Sequence, residues 1–340
     1  METKNYFSSQ WHLTDRCNLR CKHCYQDDYD SCNELNVADW KKVADIFDQM
    51  GNKWNMEIDV ALTGGEPFVR REDLFQIIDE IEQKENIKSF DILSNGLMIT
   101  KEDLFFLKKK EKLKSIQISL EGHNESLHDS IRGDGAFLRA LEAIKLLKEN
   151  DIVVNVMMTL SKRNYKYIED VYNLLSDLNV DAFVVDRFIP ERIDNHGFNV
   201  ETLSREEIRE VFTRYVELSE SKKGGNLKLI PYRTLFCLLG NDCKNNIGAV
   251  CSAGKSSLDI LPDGTILPCR RLPIALGNIL KDNIYEIWFN SDVLWNLRNP
   301  SNLKGKCSGC EYLDRCGGCR AMSLAVSDDY LAEDPLCWKN

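Results

Sequence analysis

No cysteine occurs between residues 33 and 236 of this 340-residue chain, although it carries thirteen: four before residue 33 and nine from Cys237 onward. Thiol chemistry therefore belongs to the two ends and not to the middle. A basic footprint is also missing: the formal net charge is −10, which argues against a nucleic-acid binder. No apolar run follows the first basic residues, so no signal peptide is expected. No uninterrupted apolar stretch is long enough to cross a bilayer, so no membrane is expected among the partners. No residue-level repeat is visible, which excludes a solenoid. Together these absences predict a cytoplasmic protein whose thiols stay reduced. In that setting metal explains the cysteines better than disulfides do.

What is present is a globular composition, 43% hydrophobic and 29% charged, in a chain long enough for one large α/β domain or two smaller ones. The middle alternates short apolar runs with amphipathic helices. Strands are expected at Trp11–Thr14, Met56–Leu62, Ser89–Leu93, Ser115–Leu120, Ile152–Leu160 and Ala182–Ile189. Helices are expected at Val37–Met50, Asp73–Glu85, Thr100–Lys112, Phe137–Lys148, Tyr165–Leu178 and from Ser204 to about Ser221. Thr100 with Asp103, and Ser204 with Glu207, have capping-box spacing. About six β/α units imply a parallel sheet with helices outside. Six falls short of the eight of a closed barrel, so an open partial barrel is expected. In parallel β/α folds ligands gather beyond the carboxyl ends of the strands. Cys17, Cys21 and Cys24 follow the first strand, Thr63-Gly64-Gly65-Glu66-Pro67 the second and Ser94-Asn95-Gly96 the third; Ser119-Leu120-Glu121-Gly122 ends the fourth.

Cys17, Cys21 and Cys24 have the order Cys-x3-Cys-x2-Cys. Iron–sulfur clusters are normally held by four cysteines. Three closely spaced thiolates suit one face of a cubane and leave its fourth iron open to a small molecule. This loop and the Gly-Gly-Glu-Pro segment resemble the radical S-adenosylmethionine (SAM) family. The resemblance implies an α/β fold, a partial (β/α)6 radical SAM barrel over residues 1–222. It implies that the open iron chelates the amino and carboxylate groups of SAM. Gly64, Gly65, Glu66 and Pro67 would support the SAM amino group. Arg132, whose guanidinium suits bidentate binding of a carboxylate, would take the SAM carboxylate. Tyr25 is similar to the aromatic that packs by the adenine, and Ser94, Asn95, Ser119 and Glu121 are candidates at the ribose.

At the carboxyl end, Leu258–Leu261 and Thr265–Leu267 flank Pro262-Asp263-Gly264, a hairpin whose ends bring Cys251 and Cys269 together. Cys307-x2-Cys310-x5-Cys316-x2-Cys319 and Cys337 follow. This layout is similar to the family's SPASM extension, which is placed at residues 223–340 as a small cysteine-rich domain binding auxiliary clusters. One departure is that two residues separate Cys316 from Cys319 where many members have three. The resemblance implies a distal cluster on Cys307, Cys310, Cys316 and Cys337. It implies a nearer one on Cys251, Cys269 and Cys319, with Cys243 or Cys237 as the fourth ligand. Three 4Fe–4S clusters and SAM are thus the expected cofactors. Cys32 has no assigned partner and reads as a small buried residue.

The resemblance further implies an oxidoreductase that takes one electron from a flavodoxin or ferredoxin. It would cleave SAM to a 5′-deoxyadenosyl radical and abstract hydrogen from a substrate carbon. The leading expectation is a maturase of a ribosomally made peptide or protein, although the motif begins at Cys17 and no leader-binding domain is expected before it. The alternative is a small anionic substrate such as a tetrapyrrole, with Arg270 and Arg271 as candidate carboxylate contacts beside Cys269. A sulfatase maturase is disfavoured because an acidic base is expected where Arg270 stands. A non-catalytic zinc scaffold would use the paired Cys-x2-Cys units but leaves Gly-Gly-Glu-Pro and the open triad unexplained.

Overall fold

A computed structural model describes residues 5–30, 32–192, 194, 197–221, 225–231, 233–240 and 247–339. Six parallel strands pair in chain order: β1 (Asn5–His12), β2 (Met56–Thr63), β3 (Ile87–Ser94), β4 (Leu113–Ser119), β5 (Val154–Leu160) and β6 (Ala182–Arg187). The short β7 (Lys228–Leu229) extends the sheet beyond β6. At the other edge β8 (Ser257–Ile260) lies parallel to β1, followed by the antiparallel β9 (Thr265–Leu267) and β10 (Gly277–Asn278). The order is β10-β9-β8-β1-β2-β3-β4-β5-β6-β7, with the two outermost strands unpaired to each other among the described residues. The Pro-Asp-Gly hairpin therefore completes the sheet that the amino-terminal half begins.

Seven helices alternate with these strands: α1 (Val37–Trp54), α2 (Arg71–Glu82), α3 (Lys101–Leu107), α4 (Glu125–Arg132), α5 (Ala136–Lys148), α6 (Ile168–Asp177) and α7 (Arg205–Glu220). Three short ones, α8 (Ile284–Asn290), α9 (Asp292–Arg298) and α10 (Arg320–Ser327), belong to the carboxyl end. Both capping boxes form, at Thr100 with Asp103 and at Ser204 with Glu207. The core lies between sheet and helices. Trp11 packs on Trp40 and Phe47 of α1 at 5.8 and 5.4 Å between rings. Phe7 meets Trp288 of α8 at 5.2 Å, which ties the carboxyl-terminal helices to the first strand.

Three elements depart from expectation. β1 spans Asn5–His12 and not Trp11–Thr14. Its buried Phe7 and Trp11 alternate with Ser8 and Gln10, so its apolar signal is thin. α3 ends at Leu107, five residues earlier than expected. α4 was not expected, because only His128 and Ile131 of its eight residues are buried.

Candidate functional site

The loop after β1 is held by backbone packing. The Gly65 N–H donates to the Thr14 carbonyl at 2.7 Å and the Glu66 N–H to that of Arg16 at 2.9 Å. A Cβ on Gly65 would stand 2.4 Å from the Arg16 oxygen, and one on Gly64 2.5 Å from the Thr14 oxygen, so both positions exclude a side chain. The close approach that these glycines permit is to the cysteine loop itself. Pro67 opens a short turn over Pro67–Arg70. Arg70 then donates to the carbonyls of Leu13 (2.7 Å) and Leu35 (3.0 Å), while Glu34 accepts from the Asp15 N–H at 2.8 Å. The loop is thus tied at both ends. Glu34 and Arg70 were not singled out from sequence.

Glu66 is fully buried and accepts from Ser94 Oγ (2.8 Å), the Asn95 N–H (2.8 Å) and the Phe68 N–H (3.2 Å). Burial pushes its carboxyl up to about 7 against the pull of those donors. Asn95 Nδ2 donates to Asn18 at 2.8 Å and lies 4.0 Å from Cys17 Sγ. Strand ends two and three therefore meet the thiol loop directly.

Cys21 and Cys24 are near enough to disfavour ionisation of Cys17, as Cys24 is for Cys21. Burial pushes Cys17 up to about 11, and raises Cys21 against the Arg132 guanidinium, whose Nη1 stands 3.8 Å from Cys21 Sγ. The Leu19 N–H points at Cys17 Sγ from 3.4 Å. Arg132 pairs with the buried Glu121 at 2.7 Å. Glu121 also accepts from His23 Nε2 (3.1 Å) and the Thr159 N–H (2.8 Å). Burial alone would raise Glu121, but Arg132 and His23 overcome it and hold the carboxyl at about 2. Glu121 is thus occupied by protein donors, and Arg132 spans Glu121 and the triad. Ser119 closes β4, half-buried, two residues before Glu121. His23, inside the thiol motif, was missed by sequence reasoning.

Tyr25 lies beneath two guanidiniums, Arg270 at 4.4 Å and Arg271 at 4.9 Å from the ring centre, with His12 at its edge. Arg271 also donates to the Ile189 carbonyl beyond β6.

Cys307, Cys310, Cys316 and Cys337 line one cavity of about 380 Å³. The N–H groups of Leu235 and Gly318 donate to Cys316 Sγ at 3.3 and 3.4 Å. The Cys237 thiol also hydrogen-bonds to Cys316, and that bond is the main cause holding Cys316 below the usual thiol range. Cys237 accordingly stands with this set and not with the inner one for which the sequence offered it. Cys251, Cys269 and Cys319 form the second group, each within electrostatic reach of the others, with Cys269 raised well above the usual thiol range by burial. Cys243 lies outside the described residues. Cys32 is exposed and bonded to Asp30, so it is not the small buried residue expected.

A buried ion pair joins both groups to the barrel. Arg187, the last residue of β6, grips Asp334 through two nitrogens at 3.2 and 3.0 Å. Asp334 accepts from the Cys319 N–H at 2.8 Å and the Leu336 N–H at 3.0 Å, and its carbonyl accepts from the Cys337 N–H at 3.0 Å. One aspartate orients ligand candidates of both carboxyl-terminal groups.

Known proteins resemble this chain over nearly all of its length. Residues 11–175 match the model of the Radical SAM superfamily and residues 251–311 that of an iron–sulfur cluster-binding domain, SPASM. The AdoMet-dependent heme synthase of Methanosarcina barkeri is 30% identical over 96% of this chain and 95% of its own length. The antilisterial bacteriocin subtilosin biosynthesis protein AlbA of Bacillus subtilis is 30% identical over 96% of this chain and 69% of its own. Streptococcus suis SuiB shares the fold at 18% identity. Its S-adenosylmethionine-bound structure gives a TM-score of 0.80 over 99% of this chain and 78% of that one. With the precursor peptide SuiA bound the values are 0.78, 99% and 76%.

Proposed function

This chain belongs to the radical SAM superfamily and carries a SPASM domain, and from that premise we propose that it is an enzyme with three four-iron clusters that abstracts hydrogen from a carbon of a peptide or protein substrate. When bound, and given one electron by a reduced flavodoxin- or ferredoxin-type donor, the first cluster and SAM would supply the hydrogen-abstracting chemistry of a 5′-deoxyadenosyl radical. Cys17, Cys21 and Cys24 would hold the first cluster. Cys307, Cys310, Cys316 and Cys337 would hold the distal one, and Cys251, Cys269, Cys319 and Cys243 the inner one. The donor sets fit. Soft thiolates suit iron–sulfur groups, and the cavity lined by Cys307, Cys310, Cys316 and Cys337, about 380 Å³, has room for one.

The carrying observation is the strap from Gly64 to Glu66, which fixes the triad loop over the strand ends where Asn95, Arg132 and Glu121 converge. Here Arg132 keeps a cation beside the thiols while Glu121 neutralises it, and Asn95 steadies Cys17 through Asn18. Gly64, Gly65, Glu66 and Pro67, with Tyr25, Ser94, Asn95, Ser119, Glu121 and Arg132, would shape the SAM pocket. The boundary between catalytic and auxiliary domains is placed at 222/223, with β8–β10 reaching back into the barrel sheet.

AlbA, named for biosynthesis of a bacteriocin, and SuiB, solved with a precursor peptide, support the peptide reading. A second reading, a carboxylate-bearing tetrapyrrole, is favoured by the heme synthase relative, which matches over nearly its whole length. The test is anaerobic reconstitution, with iron, sulfide and 5′-deoxyadenosine measured together. About twelve irons per chain and slow formation of 5′-deoxyadenosine after reduction are expected. Stoichiometric zinc without visible absorption would refute the assignment.

A further inference from the structure

Arg270 and Arg271 are adjacent cations, both mostly withdrawn from solvent, on the strand-end side of the sheet. Their surroundings offer little to balance two charges. Tyr25 presents its ring face to both, and the Ile189 carbonyl takes one N–H of Arg271. The Arg270 backbone N–H is held by Asp259 at 2.6 Å, but Arg270 Nε is buried with no partner. No ion pair to an acid is formed by either guanidinium among the described residues, although the charges of Asp15 and Asp259 act on Arg270 and that of Glu191 on Arg271. His12 Nε2, close enough to feel Arg270, is also buried without a partner.

Other buried arginines near the thiol groups are satisfied within the fold, and Arg320 is so by the carbonyls of Tyr330 and Ala332. Arg132 has Glu121 and Arg187 has Asp334. Partly buried cations that repel one another are destabilising unless something neutralises them. The charge of this pair is thus available to an anion from outside. Planar guanidiniums match carboxylates in fork geometry. The pair also lies between Tyr25, which follows Cys24, and Cys269 of the inner group, so a ligand there would bridge the two thiol centres.

We infer that Arg270 and Arg271 form a substrate carboxylate site between the triad loop and the inner thiol group. This rests on reading that mouth as the place where substrate meets SAM. The carboxylates have two conceivable sources, the propionate arms of a tetrapyrrole or the acidic groups of a peptide.

The experiment uses cluster-loaded protein with SAM present and reads binding, not turnover. Two probe pairs are compared by equilibrium dialysis: a porphyrin with four propionates against its tetramethyl ester, and a short acidic peptide against its amide counterpart. One acid is expected to bind about tenfold or more tighter than its neutral partner, the range of charge-assisted hydrogen bonds. The identity of that acid names the source. Arg270→Gln with Arg271→Gln should erase the preference, and Arg270→Lys with Arg271→Lys should restore part of it at equal iron content. Equal binding of acid and neutral probes, or no binding of either acid, overturns the inference. So does loss of SAM affinity in the glutamine variant, which would give the arginines to the SAM carboxylate. Failure of the wild type to form 5′-deoxyadenosine would instead refute the proposed chemistry, since the acid preference is read without it.

Discussion

The triad loop and the carboxyl-terminal thiols use the same side chain in opposite settings. In the loop, three thiols face a mouth, and burial raises Cys17 to about 11 while hydrogen-bond support is sparse. At the carboxyl end, four thiols line a cavity, and Cys316 receives two N–H donors and the Cys237 thiol, which hold it down while burial raises Cys337. The first setting is built by backbone contact, Gly64 and Gly65 against Thr14 and Arg16. The second is built by charge, Arg187 and Asp334 bonded to the backbone around Cys319 and Cys337. Under the proposed chemistry the loop would hold a cluster with one iron open, which the few donors around its thiols suit, whereas a closed site would accept packing from every side.

The largest expected effect separates the two regions outright. Replacing Cys17, Cys21 and Cys24 together with alanine should abolish 5′-deoxyadenosine formation and reduce iron from about twelve to about eight per chain. If the triple variant still cleaves SAM, or loses all its iron, the two regions are not independent sites.

Next is Asp334→Asn, which leaves Arg187 buried without its carboxylate. Breaking a buried pair from one side costs about 3–5 kcal/mol. The loss should appear in urea unfolding and as iron missing from the carboxyl-terminal groups, with the triad's share retained. Equal loss from all sites would show that the aspartate serves the whole fold. Gly65→Ala makes the opposite cut. Its Cβ would meet the fixed Arg16 carbonyl at 2.4 Å, and overpacking of this kind costs up to about 3 kcal/mol. Here the triad should lose iron and SAM affinity, while the carboxyl-terminal clusters keep their visible spectrum.

These contrasts also mark where the sequence was readable. The six strand–helix units, both capping boxes and the Pro-Asp-Gly hairpin are local patterns, and all formed. The set Cys307, Cys310, Cys316 and Cys337 came from the family resemblance and not from spacing, since Cys337 lies 18 positions beyond Cys319, and the four line one cavity. What stayed hidden depends on distant partners. Arg187 and Asp334 are 147 positions apart, and Arg70 and Glu34 are 36 apart. Cys237 could not be placed from spacing alone, since its neighbour Cys316 comes from a remote turn. That β8 would lengthen the barrel sheet was equally invisible, because strand order is a property of three-dimensional pairing.

Acid should expose the smallest difference, and it lies on the triad side. His128 is fully buried under Glu121, its Nδ1 accepting the Glu121 N–H at 3.0 Å, and Nε2 has no partner. Burial first, and then the Arg132 charge, lower it to about 4. In the unfolded chain it titrates near its ordinary value of about 6.5. The unfolded state therefore takes up a proton first as pH falls. The stability associated with neutral His128 is complete above about pH 6.5 and is lost progressively down to about pH 4. Between about pH 7 and about pH 5 the loss should be about 2 kcal/mol. Asp334, held below the usual carboxylate range by Arg187 despite its burial, contributes a loss only at lower pH. Amide exchange followed across this interval should therefore show α4 and the end of β4 opening before the Arg187–Asp334 junction. In His128→Gln only the share of the slope due to His128 should vanish, since the buried His12 and His23, lowered by burial, keep theirs. If the variant keeps the wild-type slope between about pH 7 and pH 5, the acid sensitivity originates elsewhere, and the two regions do not differ in this respect.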